Sequence, residues 1–151
     1  MWDEGVEALS RVECLQLLAE VKLGRVGVSI GALPAILPVN YVLLGEDIVF
    51  RTGTGTKLNA ALMGTVVAFE IDAADSNCGK AWSVLVVGRS EPIRDPATLD
   101  QVARLSLASW APGPHDHVVR ISAHDITGRR FDYAGQENPS KRRSTGSLRG
   151  F

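Results

Sequence analysis

Cysteine is scarce in this sequence of 151 residues: Cys14 and Cys78 are the only two. They do not stand at a metal-binding spacing, so neither a disulfide scaffold nor a zinc module is expected, and the reading is a reduced, cytoplasmic protein. Long apolar runs are missing as well. None approaches the ~20 residues needed to cross a bilayer, and the chain opens without the basic and apolar segments of a signal peptide. Neither sign of charge dominates: 16 Lys and Arg face 17 Asp and Glu, for a net charge of −1. That balance removes any general electrostatic pull toward nucleic acid or membrane. No internal repeat is visible. The G-x-S-x-G elbow of serine hydrolases is absent, and so is the Walker A pattern of nucleotide-binding loops. What remains is 45% hydrophobic content in one domain's length of chain, enough for a core.

The order of elements follows from periodicity and turn signals. Ser10-Arg11-Val12-Glu13 fits a capping box, and Val12, Leu15, Leu18 and Ala19 then share a helical face. Cys14 is placed beside that face as a small buried hydrophobe, and Gly24 ends the helix. Arg25–Ile30, Ala35–Leu44 and Ile48–Thr52 read as strands of an antiparallel meander, since their connections are too short for parallel crossovers. Gly53 to Lys57 reads as a loop opening a short helix, Leu58–Met63. Val66–Ile71 is a nearly continuous apolar strand, hence central; Asp72–Lys80 is a polar loop carrying Cys78. Ala81–Val87 is a further strand, ended or bent at Gly88, with extended chain running on to Ile93. Asp95 caps a helix with Pro96 in its first turn, whose buried side is Leu99, Val102, Ala103 and Leu105. Trp110–Pro114 reads as a turn-rich break. Asp116–Ser122 and Ile126–Phe131 are the last strands. From Ala134 to Phe151 the composition turns to Gly, Ser, Lys and Arg, too polar to offset the entropy of ordering; a flexible basic tail follows a folded domain of residues 1–133. The fold class expected is mainly β with two or three short helices: a six- to seven-stranded antiparallel split β-barrel of Greek-key type.

The segment richest in chemistry is Val49-Phe50-Arg51-Thr52-Gly53-Thr54-Gly55-Thr56-Lys57-Leu58. A strand runs into a glycine-spaced loop and a helix starts at its end. Such a loop lets backbone amides approach an anion closely, Thr54 and Thr56 add hydroxyl donors, and Lys57 adds a charge. An ordinary strand-to-helix connection with a helix cap has the same outline. His115 and His117, two apart on a strand, could share a metal, but no Cys, His or Glu cluster accompanies them, and no metal is expected. Glu70 and Asp72 share one side of a strand end, where solvated carboxylates are the plainer reading.

The run from Pro34 to Ile93 resembles the pyridoxamine-phosphate-oxidase-like, FMN-binding split-barrel superfamily. Three landmarks occur in order: Pro34-Ala35-Ile36-Leu37-Pro38-Val39-Asn40-Tyr41-Val42; Val49-Phe50-Arg51-Thr52 followed by Thr56-Lys57; and Trp82-Ser83-Val84-Leu85-Val86-Val87-Gly88 with a basic residue next, Arg89. Gly24-Arg25-Val26-Gly27-Val28-Ser29 is similar to small, actinobacterial-type members. The resemblance implies a homodimer with FMN at the subunit interface, acting as an oxidoreductase on a small-molecule substrate. By that resemblance Thr56 and Lys57 hold the cofactor phosphate, Arg51 and Thr52 line the adjacent strand end, and Pro38, Val39, Asn40 and Tyr41 run near the ring system. Trp82 and Ser83 face the ring or ribityl chain, and Trp110 closes the site from the second subunit.

Two departures stand out. Many members carry two basic residues where this chain has Lys57-Leu58, and Arg51 could take over the second charge. The C-terminal part that grips pyridoxal phosphate in the true oxidases has no counterpart, which argues against vitamin B6 oxidation. The resemblance also admits an 8-hydroxy-5-deazaflavin coenzyme, whose acidic tail would call on Arg25, Arg51 and Lys57, and, less readily, haem held by His115, His117 or His124. A non-catalytic carrier of such a ligand is the remaining alternative. No catalytic side chain is identifiable.

Overall fold

The computed structural model describes residues 5–53, 57–105 and 117–132. The tail from Ala134, the Trp110–Pro114 break and Asp116 lie outside them.

A short strand, β1 (Val6–Leu9), precedes helix α1 (Arg11–Glu20). The capping box forms: Ser10 Oγ accepts from the Glu13 amide at 3.2 Å, and the Glu13 carboxylate accepts from the Ser10 amide at 2.7 Å. That contact with the Ser10 amide holds the Glu13 carboxyl below its ordinary pKa. The helix ends at Glu20, before Gly24, which instead lies inside β2 (Leu23–Ile30). Cys14 and Leu18 are sealed in the core and Leu15 packs against it, as expected; Val12 is 65% exposed and Ala19 is exposed, against expectation.

The meander is as expected: β2, β3 (Leu33–Leu44) and β4 (Asp47–Thr52) pair antiparallel in sequence order. Helix α2 spans Lys57–Ala61, beginning one residue earlier and ending two residues earlier than the expected helix. It packs Leu58, Ala61 and the following Leu62 on the barrel core. Next, β5 (Thr65–Asp75) and β6 (Lys80–Pro92) form a long hairpin. The polar loop expected over Asp72–Lys80 is thus a correction. Asp72–Asp75 continue the strand because each is laddered to β6, leaving a turn of Ser76–Gly79. Helix α3 (Pro96–Arg104) is capped by Asp95 as expected, its carboxylate accepting from the Thr98 amide at 3.0 Å. It buries Val102 and half-buries Leu99; Ala103 and Leu105 are exposed, against expectation. The chain closes with β7 (His117–Ile121) and β8 (Asp125–Asp132).

Strand order is β1-β8-β6-β5-β2-β3-β4-β7, with a further β6–β7 pairing. That extra pairing closes six strands, β6-β5-β2-β3-β4-β7, into an antiparallel barrel, while β8 and β1 extend from β6. The barrel is therefore split at one strand. β6 pairs with β8 up to Val87–Asp125, then with β7 from Ser90–Ile121. As expected, β5 is central, flanked by β2 and β6. Ile48, Phe50, Phe69, Ile71, Val84, Val86 and Ile121 fill the interior, all fully buried. Buried Ser90 ties the end of β6 to the α2 region by donating to the Leu62 carbonyl at 2.9 Å.

Candidate functional site

Strand alternation sorts the candidate residues onto two sides. Val39, Tyr41 and Thr52 point into the barrel and are buried; Pro38, Asn40 and Arg51 lie on the outside. Tyr41 is part of the core: its hydroxyl donates to the Leu18 carbonyl at 2.7 Å, and its ring meets Phe69 edge-on at 4.8 Å. From these positions the Val39 and Tyr41 side chains cannot reach a ligand outside the barrel, and the Tyr41 amide donates to the Lys22 carbonyl at 3.1 Å. Thr52 Oγ1 donates to Asn59 Oδ1 at 3.3 Å, which fixes the end of β4 to α2 across the Gly53 connection. Asn59 carries no motif and escaped the sequence reading.

The β3–β4 ladder stops at Tyr41–Phe50, so Asn40 and Arg51 stand where the two strands part. Arg51 is half-buried beside Val118 of β7, and its Nε is buried without a hydrogen-bond partner among the described residues. Such an orphaned donor is costly to leave unmet and fits a missing acceptor.

Lys57 opens α2 and is exposed, with no ion-pair partner among the described residues. It lines a groove of about 660 Å³ between α2 (Ala60, Ala61) and the tip of the β2–β3 hairpin, including Gly31, Leu33 and Pro34. Gly31 and Ala32 both have positive φ, 54° and 66°, which bends the tip into one wall of that groove. The sequence announced the hairpin turn but not that it would face Lys57. Thr54, Gly55 and Thr56 lie outside the described residues, and so does Trp110. The anion seat expected of the glycine-spaced loop is thus described only through its flanks, Thr52, Gly53 and Lys57.

Trp82 and Ser83 stand elsewhere in the chain. Trp82 packs partly on the core, and Ser83 is laddered to Asp72 and Arg129. At ~3.3 Å per residue, about 26 Å of β6 separates Trp82 from Ser90, the end of the strand tied to Leu62 just after α2. One chain does not bring the two sets together.

Arg25 is already engaged, bridging Glu70 at 3.2 Å and Asp72 at 3.4 Å across β2–β5. Burial, and then the neighbouring Asp72, push the Glu70 carboxyl pKa up; Arg25 opposes them. His117 sits half-buried opposite Thr52, and His115 lies outside the described residues. Among the described residues, no three His, Cys, Asp or Glu side chains gather as metal ligands, and no helix is long and apolar enough to cross a membrane.

Residues 10–130 match the sequence model of the pyridoxamine 5'-phosphate oxidase family. The chain belongs to that family. A Mycobacterium tuberculosis relative of uncharacterised role is 37% identical over 131 residues, covering 83% of this chain and 86% of its own. Among solved structures, the FAD binding protein of Mycobacterium smegmatis is 38% identical, with a TM-score of 0.73 over 83% of this chain and 98% of its own. A Corynebacterium glutamicum crystal structure is 36% identical, with a TM-score of 0.76 over 91% of this chain and all (100%) of its own. Family membership and the split barrel agree with the resemblance read from the three landmarks. Those landmarks map onto β3, onto the β4-to-α2 connection and onto β6.

Proposed function

We propose that this family member is a flavin-dependent oxidoreductase, working as a homodimer on a small-molecule substrate, with the flavin phosphate held at Lys57. The observation that carries this reading is the Lys57 ammonium, without an ion-pair partner among the described residues, on the wall of a groove of about 660 Å³. The unmet Nε of Arg51, at the other flank of the same connection, is a second donor suited to an anionic cofactor. Thr52 and Asn59 keep the two flanks in fixed relation. A relative of 38% identity described as FAD-binding supports the flavin class. FMN, which the superfamily resemblance implies, and FAD share the phosphate that Lys57 would meet.

A bound flavin supplies hydride and electron transfer, which require no side-chain base. The chain's part is to seat the phosphate at Lys57 and to orient the ring beside the groove wall of Leu33, Pro34 and Ala35. The deazaflavin alternative draws less support, because Arg25, one of its three cations, is already balanced by Glu70 and Asp72.

Titration of the purified protein with FMN and with FAD, followed by quenching of flavin fluorescence, tests the assignment. A charge-assisted phosphate contact is worth ~1.5–3 kcal/mol, so Lys57→Ala should weaken binding about ten- to hundred-fold. Unchanged affinity would remove Lys57 from the site.

A further inference from the structure

The place where the barrel splits holds a second concavity, about 410 Å³, lined by Val66, Val87, Gly88, Arg89, Ser122, His124 and Asp125. Its geometry follows from the register. Arg89 is laddered beside Val66, and Asp125 beside Val87. Val87 and Arg89 are two apart on β6 and so face the same side. Ser122 crosses the strand at the split, its amide donating to the Arg89 carbonyl at 3.1 Å, and the His124 amide donates to the Ser122 carbonyl at 2.8 Å. The concavity thus joins two apolar side chains, exposed Val66 and half-buried Val87, to Arg89, Ser122, His124 and Asp125.

These polar side chains do not satisfy one another. Among the described residues, the Ser122 hydroxyl, the His124 imidazole and the Asp125 carboxylate have no partner. Arg89 gives one N–H to the Gly64 carbonyl and keeps the rest free. Arg89, His124 and Asp125 are exposed and Ser122 is half-buried, so a ligand entering the concavity can reach each of them. Donors outnumber acceptors there: a guanidinium, an imidazole and a hydroxyl against one carboxylate.

We propose that this cleft binds a small organic carboxylate, its anionic end on Arg89, His124 and Ser122 and its apolar body on Val66 and Val87. A planar guanidinium suits a carboxylate through paired N–H donors. None of these residues is among those assigned to the flavin, so the site stands or falls independently of that assignment.

The test is a benzoate titration of the full-length, ¹⁵N-labelled protein, with inorganic phosphate as the comparison anion. Benzoate should produce saturable amide shifts at Val66, Gly88, Arg89, Ser122 and His124, and phosphate should bind more weakly for want of an apolar body. Arg89→Met should weaken benzoate about ten-fold, and His124→Ala should weaken it as well. Asp125→Asn should tighten it about two- to five-fold by removing a nearby like charge, an effect that no loss of structure would produce. Arg89 also supports Gly64; if Arg89→Met does not fold, His124→Ala and Asp125→Asn decide. Non-saturating shifts, phosphate binding as tight as benzoate, or variants that leave benzoate affinity unchanged would overturn the proposal.

Discussion

A methyl group built at position 88 would lie 1.7 Å from the Ser122 carbonyl oxygen, far inside contact distance. Gly88 is where β6 exchanges one partner strand for another, and the incoming chain crosses its backbone at the closest possible range. The obstacle is backbone, so no side-chain rotation relieves it. Gly88→Ala should therefore cost about 3 kcal/mol or more, read as a lowered denaturant midpoint, and should shift amide resonances in both β7 and β8. Tyr41 governs a different property. Burial pushes its hydroxyl pKa above the ordinary 10.0, and burial likewise raises the Cys14 thiol above 9.0. As pH rises past those ordinary values, the unfolded chain gives up its protons first. It then binds fewer protons than the folded chain, so stability falls with pH. The contribution is complete below the ordinary values and is lost on the way to the raised ones. Tyr41→Phe should lower stability near neutrality by about 1 kcal/mol through the lost hydrogen bond to Leu18. It should also flatten the decline above about pH 10. Denaturant melts of the two proteins across the alkaline range would show it; parallel declines would refute the assignment to Tyr41.

At the scale of elements, what could be read ahead was whatever local chemistry decides. The Ser10–Glu13 box and the Asp95–Pro96 start are contacts within four residues, and both formed as expected. The short meander connections dictated antiparallel pairing, and the three landmarks placed β3, β4 and β6. What was missed was decided by distant neighbours. Asp72–Asp75 look like a loop by composition but are a strand, since β6 ladders each of them. Val6–Leu9 has no turn signal or strong alternation and becomes a strand by pairing with β8. In α1, several apolar stripes were available. Cys14 and Leu18 turn inward as expected, with Gly128 of β8 so close that a Cβ there would sit 2.5 Å from the Cys14 sulfur, whereas Val12 and Ala19 stay outside. The candidate site was legible in the same partial way. Lys57 was identifiable from its place after a glycine-spaced loop, but its groove depends on a hairpin tip from earlier in the chain. Alternation along β3 was legible too; that it would send Tyr41 to the Leu18 carbonyl was not.

The molecule as a whole presents an outer sheet surface that one copy does not cover. Ile36 on β3, on the face away from the core, is 74% exposed. Beside Ile36 the ladder runs through Gly27 and Ala68, two of the smallest side chains, which leave a shallow trough next to a projecting one. A projection beside a depression on one surface is the shape that a two-fold contact requires, each copy's Ile36 entering the other's trough. The Arg25–Glu70–Asp72 cluster one register step away gives the patch a polar border, as interface rims have. If the proposed flavin site is shared between copies, pairing also explains how Trp82 and Ser83 could meet a cofactor that Lys57 holds, since one chain keeps them apart. Ile36→Lys places a charge in the middle of that contact while disturbing little within the chain, because so much of the side chain is already in solvent. Light scattering should find the unmodified protein as a dimer and Ile36→Lys as a folded monomer with weakened flavin binding. A wild-type chain that stays monomeric at all concentrations would undo the two-fold reading. A monomeric Ile36→Lys chain that keeps full flavin affinity would confine the cofactor to residues of a single subunit.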